Sequence, residues 1–436
     1  MGIKMYYLAI DIGASSGRHI IGYLENGEIK TDEVFRFKNG IKKQENTLVW
    51  DVEELFINVK EGIKKAFLKY KNIKSLAIDT WGVDYVLMQG DTPILPCVSY
   101  RDSRTEKSSE EVHKIYPFEK LYKKTGISFN TFNTIYQLYA DKLSGKLKFA
   151  TDFLMMPEYL TYCLTGIKAK EYTIASTTGL LNVETGDFDY DIIEALGLPK
   201  NIFSTPKPTG SVVGNLKEEI AKEVGGQLQV ILCASHDTAS AVEGIPIKGD
   251  NPYISSGTWS LLGIKNQKAI TTEESRKANY TNEGGVGYFR YLKNIMGMWI
   301  VNSLKAELCP EQDFAYIINK AKESTFNGVV DITENRFLSP QSMKAEFYNS
   351  FNEKPTNLGD YFKSALLSLA HSYKKALEEL SLNTAKKFTT LYIVGGGAKN
   401  TYLNQLTEEI CNVKVVALPI EATALGNLKI QIERKI

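Results

Sequence analysis

The sequence lacks the features that mark several large function classes. Its 436 residues carry 52 Lys and Arg against 51 Asp and Glu. With no field of either sign, composition argues against a general nucleic-acid binder or a protein drawn to an anionic membrane surface. No stretch approaches the ~20 consecutive apolar residues of a membrane-spanning helix. The apolar run near the start is short and broken by Asp11, which is not the pattern of a secretory leader. Five cysteines, Cys97, Cys163, Cys233, Cys309 and Cys411, lie far apart with no CxxC pair. Neither a zinc site nor a disulfide framework is expected, and a cytoplasmic location is the default. No GxxxxGKS/T string and no HRD triplet occur, so P-loop and protein-kinase chemistry are disfavoured.

What the sequence does have is a repeated strand–turn–strand signal. An apolar run at residues 6–12 contains Asp11 and ends in a turn of small residues, Gly13, Ala14, Ser15, Ser16 and Gly17. Arg18 and a second apolar run at residues 19–24 follow, which is a hairpin signature. The N–H groups of Gly13 to Gly17 are expected to lie uncovered and open to an anion. Asp11 is placed to hold the waters of a hydrated Mg²⁺ ion. A plain tight hairpin with an exposed Asp fits this stretch equally well. The pattern returns at residues 251–263, where Ser255, Ser256 and Gly257 separate two apolar runs and Thr258 offers a hydroxyl to a terminal phosphate. Two such turns suggest a nucleotide gripped by two related domains. The length suits two domains, and the turn-rich joint at residues 244–252 divides them into 1–245 and 246–436.

Between these signals the chain reads as α/β. Residues 28–37 form a third strand. Leu55, Phe56, Val59, Ile63 and Phe67 recur at helical spacing after a candidate N-cap, Asp51. Residues 75–79 form a buried strand ending at Thr80-Trp81-Gly82-Val83-Asp84-Tyr85. An aromatic, a glycine and a carboxylate at a strand end suit a sugar; a core Trp81 is the competing reading. Residues 103–164 are mostly helical, and residues 171–181 line a cleft or form a plain loop. His236 and Asp237 follow a strand at residues 229–233 and open a helix, where spacing alone favours Asp237 as the cap over a general base. Residues 292–299 enter a helix, with Asn294 near its start. Residues 357–382 form a long amphipathic helix. A strand at residues 391–394 runs into Gly395, Gly396 and Gly397, then a helix at 401–411, so that backbone can approach a flat ring and phosphates. A strand at 413–418 precedes a final helix beginning at Pro419-Ile420-Glu421.

Six strings carry a resemblance over residues 8–427: DIGASSGR at 11–18, DTWGVDY at 79–85, SHDTA at 235–239, SSGTWSL at 255–261, KNIMG at 293–297 and EATALGN at 421–427. Together they resemble the FGGY carbohydrate kinases, the family that includes glycerol and xylulose kinases. The resemblance implies a two-domain α/β fold of the actin/hexokinase-like (ribonuclease H-like) type, with the active site in the interdomain cleft. It implies ATP-dependent phosphorylation of L-rhamnulose to L-rhamnulose 1-phosphate. The alternatives are another ketose, such as L-fuculose or D-xylulose, or a catalytically silent sugar- and ATP-binding protein. Carried across by position, Asp237 is the general base, and Gly82, His236, Asp237, Thr238 and Asn294 hold the sugar. Ala14, Ser15, Ser16, Gly17, Arg18, Thr258, Asn302, Gly395, Gly396 and Gly397 bind ATP, and Asp11 holds Mg²⁺ through water. Asn302 stands where the family often has Gln, and nine residues follow Asn427 where relatives carry a further helical segment. The expected partners are the sugar and ATP, with no nucleic acid and no membrane, for a monomer or homodimer.

Overall fold

Tyr6–Ile12 runs through the middle of a six-stranded sheet in this computed structural model, which describes residues 4–418 and 421–433. Pro419 and Ile420, expected to lead into the final helix, lie outside the described residues. The chain divides into a first unit of residues 1–245, 266–290 and 421–436 and a second of residues 246–265 and 291–420. Among the described residues no helix is long and apolar enough to cross a membrane.

In the first unit the strand order is Val212–Asn215, Gln229–Ile231, Ile73–Thr80, Tyr6–Ile12, Ser16–Glu25, Glu28–Lys38. Tyr6–Ile12 pairs antiparallel with Ser16–Glu25 and parallel with Ile73–Thr80. Its alternate residues face opposite ways. Leu8, Ile10 and Ile12 join the cluster built on Val59, Ile63 and Phe67 of the helix Val52–Lys69. The Asp51 carboxylate caps that helix, accepting from the Glu54 N–H at 2.9 Å. On the other face Ala9 and Ile20 meet Ala424 and Leu428 of the final helix, Ala422–Glu433. That helix lies backbone to backbone on Asp237–Gly244: a Cβ on Gly426 would fall 1.7 Å from the Ser240 carbonyl oxygen. Two glycines, Gly244 and Gly426, therefore set how closely the helix Asp237–Gly244 is braced.

The stretch expected to be mostly helical holds Thr105–Ile115, Phe118–Thr125, Thr134–Leu143 and Met156–Thr165. Asp152–Met155 is instead a strand, antiparallel to Tyr85–Gln89. Four residues between helices are too few to show a period of two.

The second unit repeats the same local plan. Tyr253–Ser256 pairs antiparallel with Trp259–Asn266 and parallel with Thr390–Val394, which pairs with Lys414–Ala417. The helix Leu358–Thr384 buries Phe362, Leu366, Leu369, Tyr373, Leu377 and Leu380 along one face. The expected helix at residues 292–299 is corrected: Phe289–Met296 is a strand beside Trp259–Asn266, and the helix begins at Trp299. Leu292, Ile295, Met296 and Trp299 happen to fall at helical spacing, while sheet pairing decides the conformation.

One buried group in the first unit makes a pH prediction. His19 is fully buried, its Nε2 3.1 Å from the Val59 carbonyl oxygen and its Nδ1 without a partner. Burial pushes its pKa down to about 3, whereas an unfolded histidine titrates near ~6.5. The folded ring stays neutral while the unfolded chain takes up a proton. The associated stability is present above the unfolded value and is lost as pH falls toward the folded one. In urea melts at pH 7 and pH 5, His19→Gln should lose about 2 kcal/mol less stability between the two pH values than the unchanged protein. Equal losses would mean that His19 is protonated in the fold.

Candidate functional site

The first unit gathers three carboxylates at the ends of its central strands. Parallel register places Asp11 opposite Asp79, and antiparallel register places Asp11 opposite Arg18. Arg18 donates to Asp11 Oδ2 through Nε at 2.9 Å and Nη2 at 2.8 Å, and its Nη1 meets Glu421. Asp79, which sequence reasoning treated only as a strand end, is wholly buried. Its Oδ2 accepts from Asn427 Nδ2 at 2.6 Å and its Oδ1 has no partner. Burial, with the charges of Asp11 and Asp237 beside it, pushes Asp79 well above the usual carboxylate range. Asp11 is raised by the same burial, against the pull of Arg18.

Asp237 is the third. The bridge Thr80↔His236 ties the end of Ile73–Thr80 to the start of the helix Asp237–Gly244. The cap of that helix is His236, not Asp237 as the spacing favoured. The His236 carbonyl accepts from Ala239 and Ser240, and Asp237 is the first helical residue. The Asp237 side chain is 31% exposed, and its bonds from the Thr238 N–H (2.6 Å) and hydroxyl (3.3 Å) both use Oδ1. His236 Nε2 lies 2.8 Å from Thr238 Oγ1. A Cβ on Gly82 would stand 3.3 Å from that same nitrogen. Gly82, His236, Asp237 and Thr238 are thus one group.

Trp81 and Asp84 belong to the core. Trp81 stacks on Trp50 with ring centroids 4.2 Å apart. Both indole N–H groups donate to Asp84, at 3.0 and 2.5 Å, and Gln137 adds a third bond. Burial raises Asp84 to about 6 despite these donors. The three bonds hold a strained backbone at Val83, whose φ is +67°. A β-branched residue enters that region only where its surroundings enforce it.

The first turn differs in part from its expected form. Gly13 N–H donates to the Ser16 carbonyl, and Ser16 and Gly17 already lie in the strand, opposite Lys38 and Phe37. Only Ala14 and Ser15 occupy the tip. Gly17 is a packing glycine, since a Cβ there would meet the Phe37 ring at 2.2 Å.

In the second unit a cavity of about 440 Å³ is lined by Gly257, Thr258, Met298, Asn302, Phe314, Ile318, Gly396, Gly397, Lys399 and Asn400. Thr258, Asn302, Gly396 and Gly397 were expected; the apolar wall of Met298, Phe314 and Ile318 was not, because nothing local marks it. Asn400 Nδ2 is buried without a partner, a donor that fits a polar ring edge. The three glycines have different reasons to be glycine. Gly395 turns the chain at φ +84°, and a Cβ on Gly397 would lie 1.9 Å from Ser256 Oγ. Gly396 faces open space. Gly297 lets the turn before Trp299 close on the hairpin: Met298 and Trp299 donate to the carbonyls of Gly257 and Thr258. Asn294 stands exposed on the strand Phe289–Met296 rather than at a helix start.

Among the described residues no group of three His, Cys, Asp or Glu side chains is arranged to ligate a metal directly. An all-oxygen pair with one unpartnered buried atom, Asp11 and Asp79, fits a hard cation held through its waters.

Residues 6–244 match the N-terminal domain, and residues 252–432 the C-terminal domain, of the FGGY family of carbohydrate kinases. The chain is similar to a protein named rhamnulokinase from Oceanobacillus iheyensis, 44% identical over 97% of this chain and 92% of that one. A rhamnulokinase from Bacillus subtilis is 39% identical over 98% and 89%. Among solved structures, gluconate kinase from Lactobacillus acidophilus superimposes with a TM-score of 0.84 at 18% identity, over 99% of this chain and 89% of that one. Xylulose kinase from the same organism gives 0.82 at 18%, over the same shares. The structures establish the two-domain α/β fold, and the sequence matches over both domains establish the lineage: the chain belongs to the FGGY family of carbohydrate kinases.

Proposed function

We propose that this chain transfers the γ-phosphoryl group of ATP to the C1 hydroxyl of L-rhamnulose in the cytoplasm, yielding L-rhamnulose 1-phosphate and ADP. The observation that carries the chemistry is Asp237: of three neighbouring carboxylates it is the one with solvent access and an uncommitted oxygen. The ketose is supported by identities of 38–44% to relatives named rhamnulokinase over 97–98% of this chain.

In this reading the first unit supplies the acceptor groups. Gly82, His236 and Thr238 hold the ketose, with Asn294 a further sugar-binding candidate. Asp237 accepts the C1 hydroxyl proton. A carboxylate is a weak base, but phosphoryl transfer passes through a loose transition state in which proton removal comes late. The second unit supplies the nucleotide groups. Met298, Phe314 and Ile318 cover the base, Asn302 and Asn400 address its polar edge, and Thr258 meets a phosphate. The tip residues Ala14 and Ser15 present backbone to the phosphates, while Arg18 keeps Asp11 in place. Bound with ATP, Mg²⁺ would neutralise phosphate charge, its waters held by Asp11 and Asp79.

Three measurements test the reading. In a coupled ADP-release assay with ATP and Mg²⁺, turnover should be largely restricted to L-rhamnulose among L-rhamnulose, L-fuculose and D-xylulose. A preference for either of the others overturns the substrate. Asp237→Asn should lower kcat about a thousandfold, as for a lost general base, with ATP binding and Tm retained. A folded variant keeping a tenth of the activity would remove Asp237 from that role. Gly396→Leu should raise the KM for ATP at least about tenfold with Tm and ketose KM unchanged, since its side chain enters the cavity. Gly397→Ala should lower Tm instead, because its new Cβ meets Ser256. The reverse pattern would place the nucleotide elsewhere.

A further inference from the structure

His236 is backed by two charged residues that no motif marks. Glu283 comes from the strand Thr281–Gly284, and Arg290 from the start of Phe289–Met296. Arg290 has no exposed surface. Its Nε donates to the Gly284 carbonyl at 2.9 Å, and its Nη2 lies 2.9 Å from Glu283 Oε2 and 3.0 Å from His236 Nδ1. Burial opposes ionisation of Glu283, but the guanidinium holds it down at about 2. The pair is therefore charged. A buried ion pair adds little stability over apolar residues of the same volume, so its presence calls for another reason.

The reason lies in donor direction. A guanidinium has only donors, so its approach to His236 Nδ1 requires a lone pair on that nitrogen. Glu283 Oε2, an acceptor, stands 3.3 Å from the same Nδ1 without making a hydrogen bond. The two neighbours demand opposite tautomers, and the shorter, hydrogen-bonded contact is that of Arg290. Nδ1 is then unprotonated and the ring proton sits on Nε2. Nε2 is therefore a donor at the ring edge; Thr238 Oγ1, 2.8 Å from Nε2 and 3.4 Å from Nδ1, lies over the ring face and does not take that proton, while its hydroxyl stands 3.3 Å from Asp237 Oδ1.

The geometry points to Arg290, braced by Glu283, as a positioning residue for the phosphoryl transfer: it fixes His236 as the Nε2–H tautomer, and so makes Nε2 a donor toward the ketose. With the other tautomer Nε2 would present a lone pair to the ketose in place of a donor. This rests on His236 and Asp237 being the acceptor site of the proposed reaction.

The unchanged protein gives the first test. Its four histidines allow a long-range ¹H–¹⁵N spectrum with His236 assigned by its loss in His236→Gln. Nδ1 should resonate as an unprotonated nitrogen and Nε2 as a protonated one. A protonated Nδ1 overturns the proposal whatever the substrate. The second test is a double-mutant cycle. Glu283→Leu with Arg290→Met replaces the ion pair by apolar side chains and should fold. Its kcat/KM for L-rhamnulose should fall about tenfold, the equivalent of one hydrogen bond, with the KM for ATP within about twofold. In the His236→Gln background the same pair should add less than about twofold, because coupled residues are not additive. Losses that multiply, or a folded pair variant with unchanged ketose kinetics, assign Arg290 a structural role only. Unchanged kinetics in His236→Gln alone would overturn the acceptor-site reading itself, an outcome that the tautomer spectrum does not share.

Discussion

Two carboxylates on adjacent parallel strands are the constraint around which the first unit is arranged. Asp11 and Asp79 are register partners, so their side chains leave the sheet on the same side, within a buried environment. Burial raises the pKa of both, the charge of Asp11 raises Asp79 further, and two buried carboxylates oppose folding unless something answers them. The chain answers with different partners. Arg18, across the hairpin, gives two donors to Asp11. Asn427, from the far end of the chain, gives one to Asp79. The final helix is thereby part of the site although it follows the whole second unit in sequence. Its neighbour Gln431 bonds Ser75 and the Leu8 carbonyl, fixing it to the two carboxylate-bearing strands.

This dependence explains what the sequence could and could not show. The hairpins, the helix cap at Asp51 and the strand before the three glycines are local patterns, and each was readable. Asp79 was not readable as a site member, because its meaning comes from parallel register with a strand more than sixty residues away. Arg290 and Glu283 were invisible for the same reason: a buried ion pair has no sequence signature until the fold brings it to His236. Residues 292–299 show the opposite failure, in which a local pattern existed and misled. Their apolar residues fit one helical face, but Leu292, Ile295 and Met296 are strand residues whose sheet neighbours fix an extended backbone.

The glycines make a related point. A glycine in a binding motif is readily taken as room for a ligand. Here Gly17, Gly297 and Gly397 are glycine because Phe37, the Gly257–Thr258 backbone and Ser256 occupy the space of a Cβ. Gly395 answers a positive φ. Gly396 alone of the triplet leaves its Cβ position empty and faces the cavity. Most of these glycines draw backbone segments together, and the ligand space is the remainder.

The proposed acceptor side then draws on unequal burial. If all three carboxylates were buried and bonded, none could take a proton from a sugar hydroxyl; if all were exposed, none would be oriented. Asp11 is committed to Arg18, and Asp79 to Asn427. Asp237, at the first position of a helix, keeps an open oxygen while Thr238 fixes the other. Its position depends in turn on Gly244 and Gly426, which let the final helix lie close enough to brace the helix that carries it. Asp237, the proposed base, is thus held by backbone contact, and its second oxygen is left without a partner from the protein.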